Sequence, residues 1–287
     1  MSSKNNSSWA FFGTSLFSVT ILDELRSAGF VPNLLVTVPD KPKGRKLILT
    51  PSDTKIWAEK NGIPVFQPEK WDEDAVSKLS DYSFRFFVVA SYGKIIPRHI
   101  LDIPKHGALN VHPSLLPTLR GPSPIESAIL KESGTGVTII KLDKEMDHGP
   151  IIAQEKVLVD EWPPYTKDLE NKLGMVGGQI LVNVIPDWLL GKIKGIEQNH
   201  SLATFCKKIE KEDGKINLAD SPEVNLRKIR AYHIWPGAFY LHQSGKREIR
   251  VIIKRAHIEN GALILDRVLP EGKKEMGYKD FLRVLRN

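Results

Sequence analysis

"WAFFGTSLFSVTILDELRSAGFVPNLLVTV", residues 9–38, decides the fold. It begins with a short apolar run that ends in Gly13, as a buried strand does before a turn. The next stretch carries apolar side chains at helical spacing, at Phe17, Ile21, Leu22 and Leu25. Gly29 fits a helix end, and residues 34–38 form a second apolar run. Strand, helix and strand in this order predict the start of a parallel α/β sheet.

Further strand and helix patterns extend this first region. "FRFFVVASYG" (84–93) predicts a buried central strand, and "GALNVHPS" (107–114) predicts the next strand. Two more strands are predicted around the turn "KEMDHG", and an amphipathic helix is predicted over 166–191. Residues 9–191 are therefore expected to form a Rossmann-like α/β domain. The turn "GTS" after the first strand lacks the GxGxxG glycines, so a dinucleotide site is not supported.

The C-terminal region follows a different pattern. Residues 192–206 show no clear periodicity and are interpreted as a linker. Beyond them, "AFYLHQ", "REIRVIIKRAHIE" and "GALILDRV" alternate like strands of an antiparallel sheet or barrel. We therefore expect residues 207–287 to form a small β-barrel-like domain, similar to an oligonucleotide-binding barrel. The polar residues 1–8 are expected to be a flexible tail.

The net charge of +7 is located in one part of the chain. Residues 207–287 contain 18 Lys and Arg against 11 Asp and Glu, a difference of +7, so residues 1–206 are balanced. One interpretation is a solvated basic surface. The other is a face that binds a polyanion such as RNA.

Composition and cysteine count limit the location of the protein. No apolar run is long enough to cross a membrane, and the polar start lacks the apolar stretch of a secretory signal. The only cysteine, Cys206, cannot form an internal disulfide, which fits a reducing compartment. These features favour a cytoplasmic protein without membrane contact, and we take a monomer as the default state.

Three polar residues stand at predicted strand ends. Asn110 and His112 lie two residues apart in one strand, so their side chains point to the same side. Asp147 lies in the Gly-flanked turn between the two later strands. Sites of open α/β sheets form at the carboxyl ends of strands, so the three groups are expected to converge. An amide, an imidazole and a carboxylate together suit acyl transfer, although a His near a strand end can also be a purely structural residue.

Other kinds of catalysis find little support in the sequence. No Ser or Cys stands in a nucleophile elbow, and Cys206 lies in the connector. The histidines lack the spacing of metal ligands, so no metal site is expected. A reaction without a covalent intermediate or a metal implies direct attack of one substrate on another.

Two long motifs resemble the signature of the folate-dependent formyltransferases. They are "NVHPSLLPTLRGPSPIESAI" (110–129) and "TGVTIIKLDKEMDHGPIIAQE" (135–155). The resemblance implies that Asn110, His112 and Asp147 are catalytic and that 10-formyltetrahydrofolate is the co-substrate. It also implies folate contacts from one turn, Ser114, Leu115, Leu116 and Pro117. A second turn, Ser91, Tyr92 and Gly93, is expected to border the pterin.

Outside these motifs the chain is most similar to the family members that act on initiator methionyl-tRNA. "FFGTSLFSVTIL", "VVASYGKIIP" and "IRAYHIWPGAF" are among the matching segments. The stretch "PDKPKGRKLILTPS" (39–52) resembles the basic loop that approaches the tRNA acceptor end. We read it as a long loop without secondary structure. The resemblance implies tRNA contacts from its cations, Lys41, Lys43, Arg45 and Lys46.

Some positions depart from the family pattern, and two alternatives stay open. Pro122 and Glu126 are unusual in the first motif, and His148 stands where Thr is common. The C-terminal module is also short. One alternative is an N-formyltransferase that acts on a nucleotide-linked amino sugar, which needs neither the long cationic loop nor the basic C-terminal region. The other is a catalytically inactive RNA-binding module, against which the presence of Asn110, His112 and Asp147 together argues.

Overall fold

The computed structural model describes residues 8–43, 47–131, 134–244 and 247–286. These residues divide into two compact units. The first comprises Met1–Arg120, Thr135–Val157 and Glu170–Phe205, and the second comprises Gly121–Gly134, Leu158–Leu169 and Cys206–Asn287. The second unit therefore takes two short segments from within the region 9–191. Of the expected tail 1–8, only Ser8 lies within the described residues, and its carbonyl accepts a hydrogen bond from the Arg85 amide.

A seven-stranded sheet forms the centre of the first unit, in the order β5-β2-β1-β6-β7-β8-β9. The strands are β1 (Trp9–Gly13), β2 (Leu34–Val36), β5 (Val65–Phe66), β6 (Phe86–Ala90), β7 (Ala108–His112), β8 (Thr135–Lys141) and β9 (Ile151–Val157). The pairs from β5 to β7 are parallel, and β7–β8 and β8–β9 are antiparallel. The predicted Rossmann-like α/β fold is confirmed.

Buried strands and their helices account for the core of this unit. Every residue of β1, β6 and β7 is buried, as expected for strands covered on both faces. The helices are α1 (Leu16–Ser27), α2 (Asp53–Lys60), α3 (Glu73–Ser80), α4 (Arg98–Leu101) and α6 (Thr166–Leu189), of which α6 belongs to this unit from Glu170 onward. No helix of the described residues is long and apolar enough to span a membrane.

Helix α6 approaches its neighbours closely through glycines. A Cβ atom at Gly178 would lie 2.4 Å from Cβ of Glu24 in α1. A Cβ atom at Gly177 would lie 2.7 Å from Cγ1 of Val111 in β7. Real Cβ atoms do not approach other atoms this closely, so only glycine permits this packing. Gly178 therefore allows α6 to pack closely against α1. Gly177 allows it to pack closely against β7, the strand that carries Asn110 and His112.

A two-stranded hairpin replaces the long loop expected over 39–52. Strand β3 (Lys41–Lys43) pairs antiparallel with β4 (Ile48–Thr50). The interpretation of this segment as lacking secondary structure was wrong, because the apolar and β-branched run "LILT" has strand propensity that the basic residues obscured. Leu47, Ile48 and Leu49 are exposed. Residues 44–46, which include the predicted contacts Arg45 and Lys46, lie outside the described residues.

The second unit contains an antiparallel sheet, as predicted. Its strands are β10 (Phe239–Ser244), β11 (Arg247–Glu259), β12 (Ala262–Pro270) and β13 (Met276–Gly277), in linear order. Its helices are α5 (Pro124–Lys131), α7 (Pro222–Ala231) and α8 (Tyr278–Arg286). Buried residues of α7, the sheet and α8 share one apolar core, with Ile229, Val251, Val268 and Phe281 among its members.

Candidate active site

Asn110 and His112 lie on β7, at its carboxyl end. On one side β7 pairs with β6, and Asn110 lies opposite Val89. On the other side β7 pairs with β8, and His112 lies opposite Thr138. Asn110 is 9% exposed and His112 is 4% exposed. The strand period places the two side chains on the same side, as expected from their spacing.

Asp147 lies in the turn between β8 and β9 and reaches both residues. Its Oδ1 atom is 3.4 Å from Nδ2 of Asn110 and 3.5 Å from Nδ1 of His112. The residue is buried and has a φ of 53°, a conformation that Asp adopts more readily than most residues. The structure thus brings the three predicted catalytic residues together. These contacts are long for hydrogen bonds, and catalytic contacts commonly shorten when substrate binds.

The second nitrogen of His112 also faces an acceptor. Its Nε2 atom lies 3.0 Å from the carbonyl oxygen of Leu119. Leu119 has a φ of 59°, and its amide donates to Oγ1 of Thr204. The ring can donate to Leu119 and to Asp147 at the same time only when it carries both protons. The cluster can therefore supply an amide donor, a proton-carrying imidazole and a carboxylate to one reacting centre.

A further buried amide, that of Gln198, completes this cluster, and no sequence pattern predicted it. Gln198 donates from Nε2 to the carbonyl oxygens of Asp147 and Gly149, at 2.9 and 2.8 Å. Its Oε1 accepts from Nη2 and Nε of Arg120, at 2.6 and 3.2 Å. Gln198 stands in a segment without periodicity, so no sequence signal could have identified it. Arg120 lies inside the first long motif, but nothing in the motif indicates its partner.

Two histidines lie beside this network. The rings of His148 and His200 stack with centroids 4.0 Å apart. Nδ1 of His148 is 2.8 Å from Oδ2 of Asp143, and Nδ1 of His200 is 2.9 Å from Nη2 of Arg120. His148 is one of the three positions that depart from the expected motif pattern, and its stacking partner follows α6 in the chain. The ring of His148 is therefore packed against the ring of His200.

The predicted folate turn, Ser114–Pro117, is held by side chains of β8 and β9. Thr138 donates from Oγ1 to the Ser114 carbonyl and accepts from the Leu116 amide, at 2.6 and 3.1 Å. Gln154 donates to the Leu116 carbonyl at 2.9 Å. Ser114 and Leu116 are buried. These bonds fix the conformation of the turn, which begins two residues after His112.

The other predicted folate turn, Ser91–Gly93, follows β6. Ser91 and Gly93 are exposed, and both have positive φ, 50° and 75°. The ring of Tyr92 points into the core and packs against Phe12 and Trp71. Burial raises the pKa of the Tyr92 phenol. The accessible parts of this turn are therefore Ser91 and Gly93, and not the Tyr92 ring.

The described part of the basic hairpin is open to solvent. Lys41 is exposed on β3, and Lys43 ends the same strand. The only acid of the segment, Asp40, accepts a hydrogen bond from Nζ of Lys55 at 2.7 Å. Hydrogen bonds from Lys55 and Gln67 hold the pKa of Asp40 below its usual value. Lys55 therefore neutralises this carboxylate, and the hairpin cations are left in excess.

Comparison with known proteins agrees with these features. The family model described as "Formyl transferase" matches residues 8–185, and "Formyl transferase, C-terminal domain" matches residues 208–262. The methionyl-tRNA formyltransferase of Halalkalibacterium halodurans is 37% identical over an alignment of 297 positions, which covers 95% of this chain and 93% of that protein.

Two solved structures share the fold. A sugar N-formyltransferase from a Shewanella species has a TM-score of 0.65 at 16% identity and covers 88% of this chain and 99% of its own. HypX from Aquifex aeolicus, in complex with tetrahydrofolic acid, has a TM-score of 0.66 at 15% identity and covers 97% of this chain and 47% of its own. At these identities the likeness concerns the fold alone.

Proposed function

The chain belongs to the formyltransferase family, and from this premise we propose that it transfers the formyl group of 10-formyltetrahydrofolate to the α-amino group of initiator methionyl-tRNA. The product is N-formylmethionyl-tRNA for translation initiation. The observation that carries the proposal is the identity of 37% with a methionyl-tRNA formyltransferase over nearly the whole length of both chains. The sugar N-formyltransferase, in contrast, shares only 16% identity.

The proposed mechanism is direct attack of the amine on the formyl carbon. An α-amino group titrates near about 7.7–8.0, so a useful fraction is neutral at physiological pH. Attack forms a tetrahedral carbon whose oxygen carries the charge. Asn110 donates a hydrogen bond to this oxygen, and His112 does so with the Nε2–H that it otherwise gives to the Leu119 carbonyl. Asp147 orients His112 and accepts the proton that the amine loses. The oxyanion then re-forms a carbonyl, the bond to the folate nitrogen breaks, and that nitrogen takes up the proton held by Asp147 and leaves as tetrahydrofolate.

We propose that the folate binds between the two turns Ser114–Pro117 and Ser91–Gly93. The fixed backbone of the first turn supports this, because a rigid turn can present peptide groups and the Leu115 side chain at no ordering cost. Tyr92 contributes through its backbone. The tetrahydrofolic acid complex of HypX, which shares the fold, supports the same ligand class.

Titration of the isotope-labelled protein with a non-reactive folate analogue tests this pocket. The amide signals of residues 91–93 and 114–117 should shift, because their peptide groups would border the ligand. The amides of α2 and α3 should keep their positions as an internal control. Unmoved signals at both turns, with saturable binding measured by calorimetry, would place the folate elsewhere.

The basic hairpin is proposed to bind the acceptor end of the tRNA through Lys41, Lys43, Arg45 and Lys46. The exposure of Lys41 and the neutralisation of Asp40 by Lys55 support a cationic face. Exposed Leu47 and Ile48 add apolar surface on which bases can rest. Arg45 is the preferred contact because a guanidinium both stacks on bases and binds phosphate through two hydrogen bonds.

Arg45→Ala should raise the KM for charged tRNA by about tenfold or more at physiological salt, since lost phosphate and stacking contacts each weaken binding. The dissociation constant of the folate analogue should not change. The matched control is Arg26→Ala, which removes an exposed arginine at the end of α1. The salt dependence of tRNA binding should also become shallower in Arg45→Ala than in the control. Equal losses toward both substrates would indicate a folding defect, and no loss toward either would remove the hairpin from the tRNA site.

The function itself is tested by a comparison of substrates. Purified protein is mixed with labelled 10-formyltetrahydrofolate and either charged initiator tRNA or a nucleotide-linked amino sugar. We expect N-formylmethionyl-tRNA and no formylated sugar. Transfer to the sugar alone would establish the small-substrate alternative. Binding of tRNA without transfer to either acceptor would establish the inactive RNA-binding alternative.

We further propose how the chain divides this work. Residues 9–191 form the catalytic domain, residues 192–206 connect it to the next domain, and the basic residues 207–287 form the tRNA-binding domain. The charge difference of +7 within 207–287 supports the last assignment. A single copy of the chain acts in the cytoplasm and needs no metal.

A further inference from the structure

Gln198 is a buried amide whose polar atoms are all engaged. The residue is only 5% exposed. The Nε2 atom donates to the carbonyls of Asp147 and Gly149, and Oε1 accepts two hydrogen bonds from Arg120. An amide has two donor hydrogens and an oxygen with two lone pairs, so this arrangement uses its full capacity. The donors and acceptors also fix its orientation, because a flipped amide would face like groups on both sides.

The two carbonyls that Gln198 binds belong to the turn that carries Asp147. Only His148 separates the two bonded residues along the chain. Asp147 itself has a φ of 53°, outside the common backbone regions, and its carboxylate must stay within reach of Asn110 and His112. A backbone held at two points can keep that conformation and direct the carboxylate.

The other end of Gln198 is held by Arg120, which is also buried. Arg120 follows Leu119, whose carbonyl accepts from His112. One chain of contacts therefore runs from His112 through the 119–120 backbone and the Arg120 side chain to Gln198, and back to Asp147. The same amide links the two backbone segments that flank the imidazole and the carboxylate.

We propose that Gln198 is a positioning residue for formyl transfer: it holds the Asp147 turn so that the carboxylate faces His112 and Asn110. This rests on the proposed function, since the reaction supplies the measurement. Gln198 touches no reacting atom and acts through Asp147. A residue outside the two long motifs thereby sets the geometry of the catalytic carboxylate.

Gln198→Glu tests the proposal because it removes the donors and keeps the acceptor for Arg120. The new carboxylate would face the two carbonyls that the amide held, so the turn should move. A displacement of about 1 Å at a catalytic group can cost about 100-fold in rate. We expect kcat to fall by about 10- to 100-fold, while KM for the folate and for the tRNA changes by less than about threefold. Asn183→Asp, at an exposed position of α6, is the control for the added charge and should match the wild type.

A double-mutant cycle separates positioning from general damage. In the background of Asp147→Ala, Gln198→Glu should cost less than about threefold under single-turnover conditions, because the group it positions is absent. A full 10- to 100-fold further loss in that background would overturn the proposal, and so would near wild-type kcat in the single variant. If Gln198→Glu does not fold, Gln198→Asn serves in the same cycle, since it keeps both chemical ends but is one methylene shorter. Wild-type protein that forms no N-formylmethionyl-tRNA would instead contradict the proposed function.

Discussion

Replacement of Asp147 by Asn should lower the single-turnover rate of formyl transfer by about 1,000-fold, within the range of about 100- to 10,000-fold assigned to a positioned acid or base. The substitution preserves the size of the side chain, so the turn with its φ of 53° should persist. It removes the negative charge that faces Nδ1 of His112 at 3.5 Å and the group that accepts the proton of the amine. Rapid-quench measurement of the first turnover reports this loss directly.

Asp102→Asn provides the matched control. That carboxylate pairs with Arg98 on the surface, and the same loss of charge there should leave the rate within about twofold of wild type, since exposed ion pairs contribute little. The melting temperature of both variants should stay close to that of the wild type. A rate for Asp147→Asn within about tenfold of wild type, outside the expected range, would mean that this carboxylate is not the proton acceptor.

Asn110→Ala should lower the rate of transfer by about 100- to 1000-fold, the usual loss for one oxyanion donor. The substitution removes the Nδ2 donor at the end of β7, while the backbone pairs with Val89 and Ile140 remain. KM for both substrates should change little, because the lost bond forms in the transition state rather than with the substrates.

The control for Asn110→Ala is Asn183→Ala, an amide truncation at an exposed position of α6. Circular dichroism and the melting curve establish that each variant is folded before its rate is read. Near wild-type turnover in folded Asn110→Ala would remove this residue from the catalytic assignment and leave His112 as the donor to the oxyanion.

The sequence identified the features that depend on local pattern. The apolar pattern of residues 9–38 was sufficient to predict the first strand, the first helix and the second strand. A central strand that is buried on both faces requires a continuous apolar run. The period of two placed Asn110 and His112 on one side of β7. The family resemblance, stated from the two long motifs, is confirmed by the matches over residues 8–185 and 208–262.

Local pattern failed where two signals competed in one segment. The Lys and Arg of 39–52 suggested a loop, yet Ile48–Thr50 pairs as a strand of the hairpin. The ring of Tyr92 packs with Phe12 and Trp71, a direction that the sequence of the turn did not indicate. The composition of a short segment does not indicate which of its side chains face the core.

The sequence by itself determined the α/β class, the strand that carries Asn110 and His112, and the family. The tertiary structure alone decided that Gln198 closes the cluster, because its partner Arg120 lies 78 positions earlier and the carbonyls of Asp147 and Gly149 lie 51 and 49 positions earlier. The sequence around a single polar residue in a segment without periodicity does not indicate which distant groups it will bond. Its role arises when the chain folds back and a buried amide must satisfy all of its donors and acceptors at once.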